Sequence, residues 1–190
     1  DLNLKDTNFW VYPDYNHDKN VEISKESINN QFPVVYISFP SAKDPDWEKD
    51  HPGKSAMEAI TFSSISWFDK WNNLDWKKRG EEYEKLKEDL SNRLLETVYN
   101  YVPTIKGKVD YFELSTPLTT RDLANYSKGE MYGIEHGPSR FKQKWLKPKT
   151  PIKNLYLTGQ DITTVGFTSA LFSGLITSSV ILKKNLTKGL

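Results

Sequence analysis

The residues of this chain that could do chemistry are few. His17, His51 and His136 are its histidines, and no two share the i, i+4 spacing of a helical metal site. Their surroundings read as surface loops. Cysteine is absent, which excludes disulfides, thiolate nucleophiles and cysteine-based zinc centres. The ten glycines form neither a Gly-x-Gly-x-x-Gly dinucleotide fingerprint nor a phosphate-binding loop, and there is no Gly-x-Ser-x-Gly elbow. No metal site is expected, and no side chain declares itself a general acid or base. What remains is Gly159-Gln160-Asp161, at the end of the apolar run Asn154-Leu155-Tyr156-Leu157-Thr158. Gly159 tolerates a sharp turn that a Cβ would obstruct. Asp161 offers a carboxylate to a ligand hydroxyl. The helix expected from Gly166 onward adds unpaired N–H groups and a partial positive charge.

That helix lies in a stretch, Ile162 to Leu182, without a single charge. Its length suits a membrane span, which needs about 20 mostly apolar residues. Its composition does not, because eight of the twenty-one residues are Ser or Thr and two more are Gly. Buried hydroxyls need partners that lipid does not supply. Gly166, Ala170, Gly174, Thr177 and Ser178 fall near one helical face, where small side chains allow close approach. A helix buried in a folded protein is therefore expected, with Lys183 and Lys184 favourably placed at its C-terminus.

The elements that must position this segment follow from pattern. Residues 8–13, 33–40, 57–67, 109–115 and 154–158 read as strands. Residues 14–20 and 41–54 read as loops, and 67–79 as irregular or briefly helical. Tyr83, Leu86, Leu90, Leu94, Val98 and Tyr101 fall at steps of three and four, which predicts an amphipathic helix over 81–101 stopped by Pro103. Thr116 and Pro117 predict a capped helix start. The fold class is α+β: a mixed or antiparallel sheet with an amphipathic helix, followed by a strand–loop–helix.

With 37% hydrophobic and 27% charged residues, a mean hydropathy of −0.65 and a net charge of +1, the composition is globular and gives no electrostatic case for nucleic acid. The first residues carry no signal-peptide pattern.

Three separated segments carry a resemblance. LYLTGQDITTVGFTSALFSGLITSSVIL, SFPSAKDPDWEKDHPGKSAMEAI and STPLTTRDLANYSKGEMYGIEHGPSRF are similar to segments of the retinol saturase, carotenoid isomerase and phytoene desaturase group of FAD-dependent oxidoreductases. TPLT and GEMYGIEHGP resemble its retinol saturase branch. The resemblance implies that residues 1–150 are part of a substrate domain and 151–190 the C-terminal segment of a glutathione-reductase-like FAD domain. It implies cofactor contacts from Gly159, Asp161, Gly166, Phe167 and Thr168, and a flavin or substrate side at Tyr132, Gly133 and His136. It implies FAD, NAD(P)H as an electron donor, and an apolar polyene or isoprenoid substrate. The family's dinucleotide-binding N-terminal half is not in this sequence, so a C-terminal portion of a longer polypeptide is expected, inactive by itself. A stand-alone binding module derived from the family is the alternative. A cytoplasmic setting fits the missing cysteine, and peripheral membrane contact stays open because apolar substrates reside in membranes.

Overall fold

The computed structural model describes Leu2 and residues 4–188. They form two compact units, Asp1–Gly129 and Glu130–Leu190, in a mixed α+β arrangement.

In the first unit β1 (Phe9–Val11) leads through α1 (His17–Glu26) to β2 (Val35–Ser38), a β-branched and aromatic run closed by Pro33 and Pro40. Next come the single turns α2 (Pro40–Lys43) and α3 (Trp47–Asp50), and then β3 (Glu58–Thr61). The three strands form one antiparallel sheet in the order β1-β2-β3, with Phe9, Ile37 and Ala59 in one row and Trp10, Tyr36 and Ile60 in the next. The period of two sends these rows to opposite faces. Ile37 is fully buried, whereas Trp10 is exposed and lies against Tyr36 with ring centroids 4.7 Å apart.

The core forms on the Ile37 face. α4 (Glu81–Tyr101) brings Tyr83, Leu90, Leu94 and Val98 against Ile37, Phe39, Phe68 and Leu118. Glu81, Glu82 and Glu84 occupy its first turn, where the helix dipole favours acids. α5 (Pro117–Ala124) begins with a capping box: Thr116 Oγ1 accepts from the Thr119 N–H at 3.4 Å, and Thr119 Oγ1 accepts from the Thr116 N–H at 3.2 Å. The Tyr83 hydroxyl meets Thr116 Oγ1 at 2.6 Å and ties the two helices together.

Several expected elements differ. Residues 14–20 are not all loop: Asp14 Oδ1 accepts from the Asn16 N–H at 2.7 Å and from Asn20 Nδ2 at 2.8 Å, so the polar cluster makes the turn that starts α1. The expected loop at 41–54 contains α2 and α3. The third strand stops at Thr61, because Ser64 Oγ accepts from the Ser66 N–H and opens a 3-10 helix over Ile65–Trp71. Residues 109–115 form no strand, and 154–158 contribute a single bridge, Lys149 to Tyr156. An alternating pattern becomes a strand only where a neighbour supplies a ladder, and neither segment has one among the described residues.

The second unit contains α6 (Pro138–Phe141), a 3-10 turn at Gln160–Ile162, and α7 (Phe167–Leu182). No helix among the described residues is long and apolar enough to cross a membrane. In this chain α7 is only partly buried. Its buried residues are Ser173 and Thr177, while Phe167 is 85% exposed, Leu171 68% and Leu182 63%. The helix turns its hydroxyls inward because they have backbone partners there. Thr177 Oγ1 donates to the Leu157 carbonyl at 2.9 Å, and Ser173 Oγ accepts from the Gly159 N–H at 2.7 Å. The small-residue face is open at Gly174, where an added Cβ would meet nothing within 4 Å.

Candidate cofactor-contact site

The loop between the Tyr156 bridge and α7 is bracketed by two glycines in the same backbone conformation. Gly159 has φ +100° and ψ −178°, Gly166 φ +103° and ψ +168°, a region essentially closed to residues with a Cβ. They turn the chain sharply into and out of residues 160–165. Gly166 has no side chain to cap α7, and Gln160 Oε1 accepts from the Gly166 N–H at 3.5 Å, so the first N–H groups of the sixteen-residue helix have no N-cap side chain to accept from them. Phe167 and Thr168 are exposed at that end.

This loop closes onto the 132–136 turn. The Ile134 N–H donates to Asp161 Oδ1 at 3.1 Å. Gly133, at φ +69°, passes so close that a Cβ there would lie 2.3 Å from the same oxygen. The structure thus brings Gly133 and His136 together with Asp161 although more than twenty residues separate them in sequence. Tyr132 is exposed beside them. One oxygen of Asp161 is therefore engaged inside the protein, and the carboxylate's remaining acceptor capacity is what a ligand hydroxyl could use.

The residue that organises the junction is Arg140, on α6. Its side chain is only 5% exposed. Nη2 donates to the carbonyls of Gln160 and Asp161, each at 2.7 Å, and of Thr163 at 3.1 Å. Nη1 donates to the Ile134 carbonyl at 3.3 Å and to His136 Nε2. A guanidinium can only donate, so His136 Nε2 accepts and the ring's N–H is at Nδ1. Burying a charge without partners is costly, and here backbone dipoles from both segments supply them. Arg140, Ser173 and Thr177 are the buried residues of this unit among those described. The unit is closed by hydrogen bonds, with most of its apolar side chains left outside.

This pairing of a glycine-bracketed loop with the GEMYGIEHGP turn joins two of the three segments that carried the family resemblance. The chain is a homologue of the all-trans-retinol 13,14-reductases. It is 38% identical over 98% of its length to the Danio rerio all-trans-retinol 13,14-reductase and 37% identical over 98% to the Homo sapiens one. It is also 34% identical over 98% of its length to a Danio rerio protein named an inactive all-trans-retinol 13,14-reductase. The chain spans about a third (32%) of the length of each of these curated relatives. No protein-family model matches the chain, and no solved structure matches it.

Sequence reasoning missed Arg140, and the one hint in the sequence is the scarcity of arginine. Arginine occurs four times among 26 basic residues. Arg79 bonds the Asp122 carboxylate, and Arg93 Nη1 and Nη2 donate to the Ile28 and Asn30 carbonyls at 2.6 and 2.5 Å. Arg121 Nη1 donates to Asn72 at 2.6 Å. Arg93, Arg121 and Arg140 each donate to two or more acceptors, which the planar guanidinium allows. Around Asp122, burial pushes the carboxyl upward, but hydrogen bonds from Arg79 and Arg121 outweigh it and hold it below the usual carboxylate range. Burial lowers the Arg93 guanidinium from its ordinary value.

Proposed function

We propose that this chain is the C-terminal, flavin-contacting portion of an FAD-dependent oxidoreductase acting on a conjugated C=C bond of a retinoid- or carotenoid-like isoprenoid. Its extended homology to the all-trans-retinol 13,14-reductases carries this reading. The reaction is saturation, for which NAD(P)H supplies the two electrons through the flavin, or desaturation, which passes two electrons from substrate to flavin and on to an acceptor, or isomerisation, which has no net redox change. Residues 1–150 belong to the substrate domain and 151–190 to a glutathione-reductase-like FAD domain. An apolar substrate of this class brings the protein to membrane surfaces peripherally.

The residues present suit the flavin half of FAD. A loop whose ends only glycine can adopt brings backbone close to a ligand, and the uncapped end of α7 offers N–H groups to an electron-rich ring edge. Gly159, Asp161, Gly166, Phe167 and Thr168 would hold it, with Asp161 accepting from the ribityl hydroxyls. Tyr132, Gly133 and His136 lie on the flavin or substrate side. FAD supplies the hydride chemistry when bound; the protein's part is to bind it, orient it and favour its reduced, negatively charged form through the α7 dipole. The chain has no Gly-x-Gly-x-x-Gly, so the ADP half would be gripped by sequence outside it. The exposed Phe167, Leu171 and Leu182 of α7 suit burial against that remainder.

The complete gene product, purified and scanned for flavin absorbance, tests this. A yellow protein that retains FAD is expected, and Asp161→Ala should weaken retention. A colourless protein that ignores added FAD overturns the reading. The 34% identity to a relative named inactive favours a second reading, a binding module of the same descent without redox activity. Such a module would hold a retinoid without oxidising or reducing it.

A further inference from the structure

We propose that Arg140 is the positioning residue of this site: its buried guanidinium locks the 160–163 backbone onto the 134–136 turn and so presents the cofactor loop in one conformation. The inference rests on the flavin reading above and adds a residue that the motifs did not single out.

The geometry separates Arg140 from an ordinary buried arginine. Its hydrogen bonds run to the backbone carbonyls of Ile134, Gln160, Asp161 and Thr163, all within the two segments that meet at Asp161. Three of these carbonyls follow the glycine at which the loop begins. The 3-10 turn at Gln160–Ile162 is too short to hold itself, so its end is fixed from below by the guanidinium. On the other side the Asp161 carboxylate accepts from the Ile134 N–H at 3.1 Å, so the two segments are tied by both a cation and an anion. Arg140 also sets His136: Nε2 is taken by the guanidinium, which leaves Nδ1–H as the ring's donor. One side chain therefore decides where the Asp161 carboxylate sits and which nitrogen of His136 can donate. Lysine cannot replace it, because a point ammonium cannot reach both segments with a planar fork.

The test has two parts. In the complete gene product, ¹⁵N signals of the His136 ring should report the Nδ1–H tautomer, and Arg140→Lys and Arg140→Met should both lose it and speed exchange of the Ile134 amide about tenfold or more. In the complete gene product the same variants should weaken FAD binding, measured by flavin fluorescence titration, about tenfold or more. If Arg140→Met does not fold, Arg140→Lys, which keeps the charge, carries the measurement. A wild-type His136 protonated at Nε2 overturns the proposal. So does unchanged FAD affinity in a variant that has lost the tautomer, and in that case the flavoprotein reading stands. A wild-type gene product that takes up no FAD instead overturns the flavoprotein reading itself.

Discussion

Gly133→Ala probes how tightly the 132–136 turn is pressed against the cofactor loop. Two costs can be separated. The backbone at Gly133 has φ +69°, and holding an alanine there costs about 1 kcal/mol. The new Cβ would also lie 2.3 Å from Asp161 Oδ1, where ordinary contact begins at 3.4 Å. The carboxylate must retreat by about 1 Å, because repulsion at this range is steep. That breaks its 3.1 Å bond from the Ile134 N–H. A hydrogen bond to an ionised acceptor is worth about 2 kcal/mol. The expected total is about 3 kcal/mol. Gly107→Ala provides the control, since Gly107 has φ +78° with nothing within 4 Å of an added Cβ, and it should cost only about 1 kcal/mol. The decisive measurement is a double-mutant cycle with Asp161→Ala, read by native-state hydrogen exchange at the Ile134 amide and along α7. With the carboxylate already gone, Gly133→Ala should lose its steric cost, giving a coupling of about 2 kcal/mol. Additivity within about 0.5 kcal/mol would refute the contact between the two segments.

Asp122→Asn should destabilise the first unit by about 3 kcal/mol in urea unfolding, because it leaves the buried Arg79 guanidinium without its carboxylate. The folded-state pKa of Asp122 is depressed, so its contribution is present above the ordinary carboxylate value of about 3.9 and is lost as pH falls through the lower folded value. The acid limb of the stability curve should therefore be shallower in Asp122→Asn than in wild type. Ser173→Ala removes the buried acceptor of the Gly159 N–H and should cost about 2 kcal/mol, read from α7 amide exchange. The bulkier but exposed Leu171→Gln, two residues away, should stay within about 0.5 kcal/mol of wild type.

Legibility from sequence differed sharply between the two units. The span of α4 could be read residue by residue, since its apolar spacing is local and Pro103 marks its end. The Thr116 cap was equally readable, because a capping residue and its partner lie three positions apart. Strands were less so: Val35–Ser38 within 33–40 pair, but 109–115 and 154–158 were read as strands too and find no ladder. For α7, composition gave the helix and its lack of charge, but not that its buried side in this chain is the hydroxyl side.

By itself the sequence determined what depends on neighbours along the chain: the amphipathic helix, the caps, the glycine-bracketed loop, and a homology that spans nearly all of its length. It could nominate Asp161 and, separately, Gly133 and His136. That these residues meet was decided by tertiary structure, because the bond from the Ile134 N–H to Asp161 joins residues twenty-seven positions apart. So was the role of Arg140, whose acceptors are backbone carbonyls. Every residue has such a carbonyl, so no residue type in the sequence marks which ones will converge on a single guanidinium.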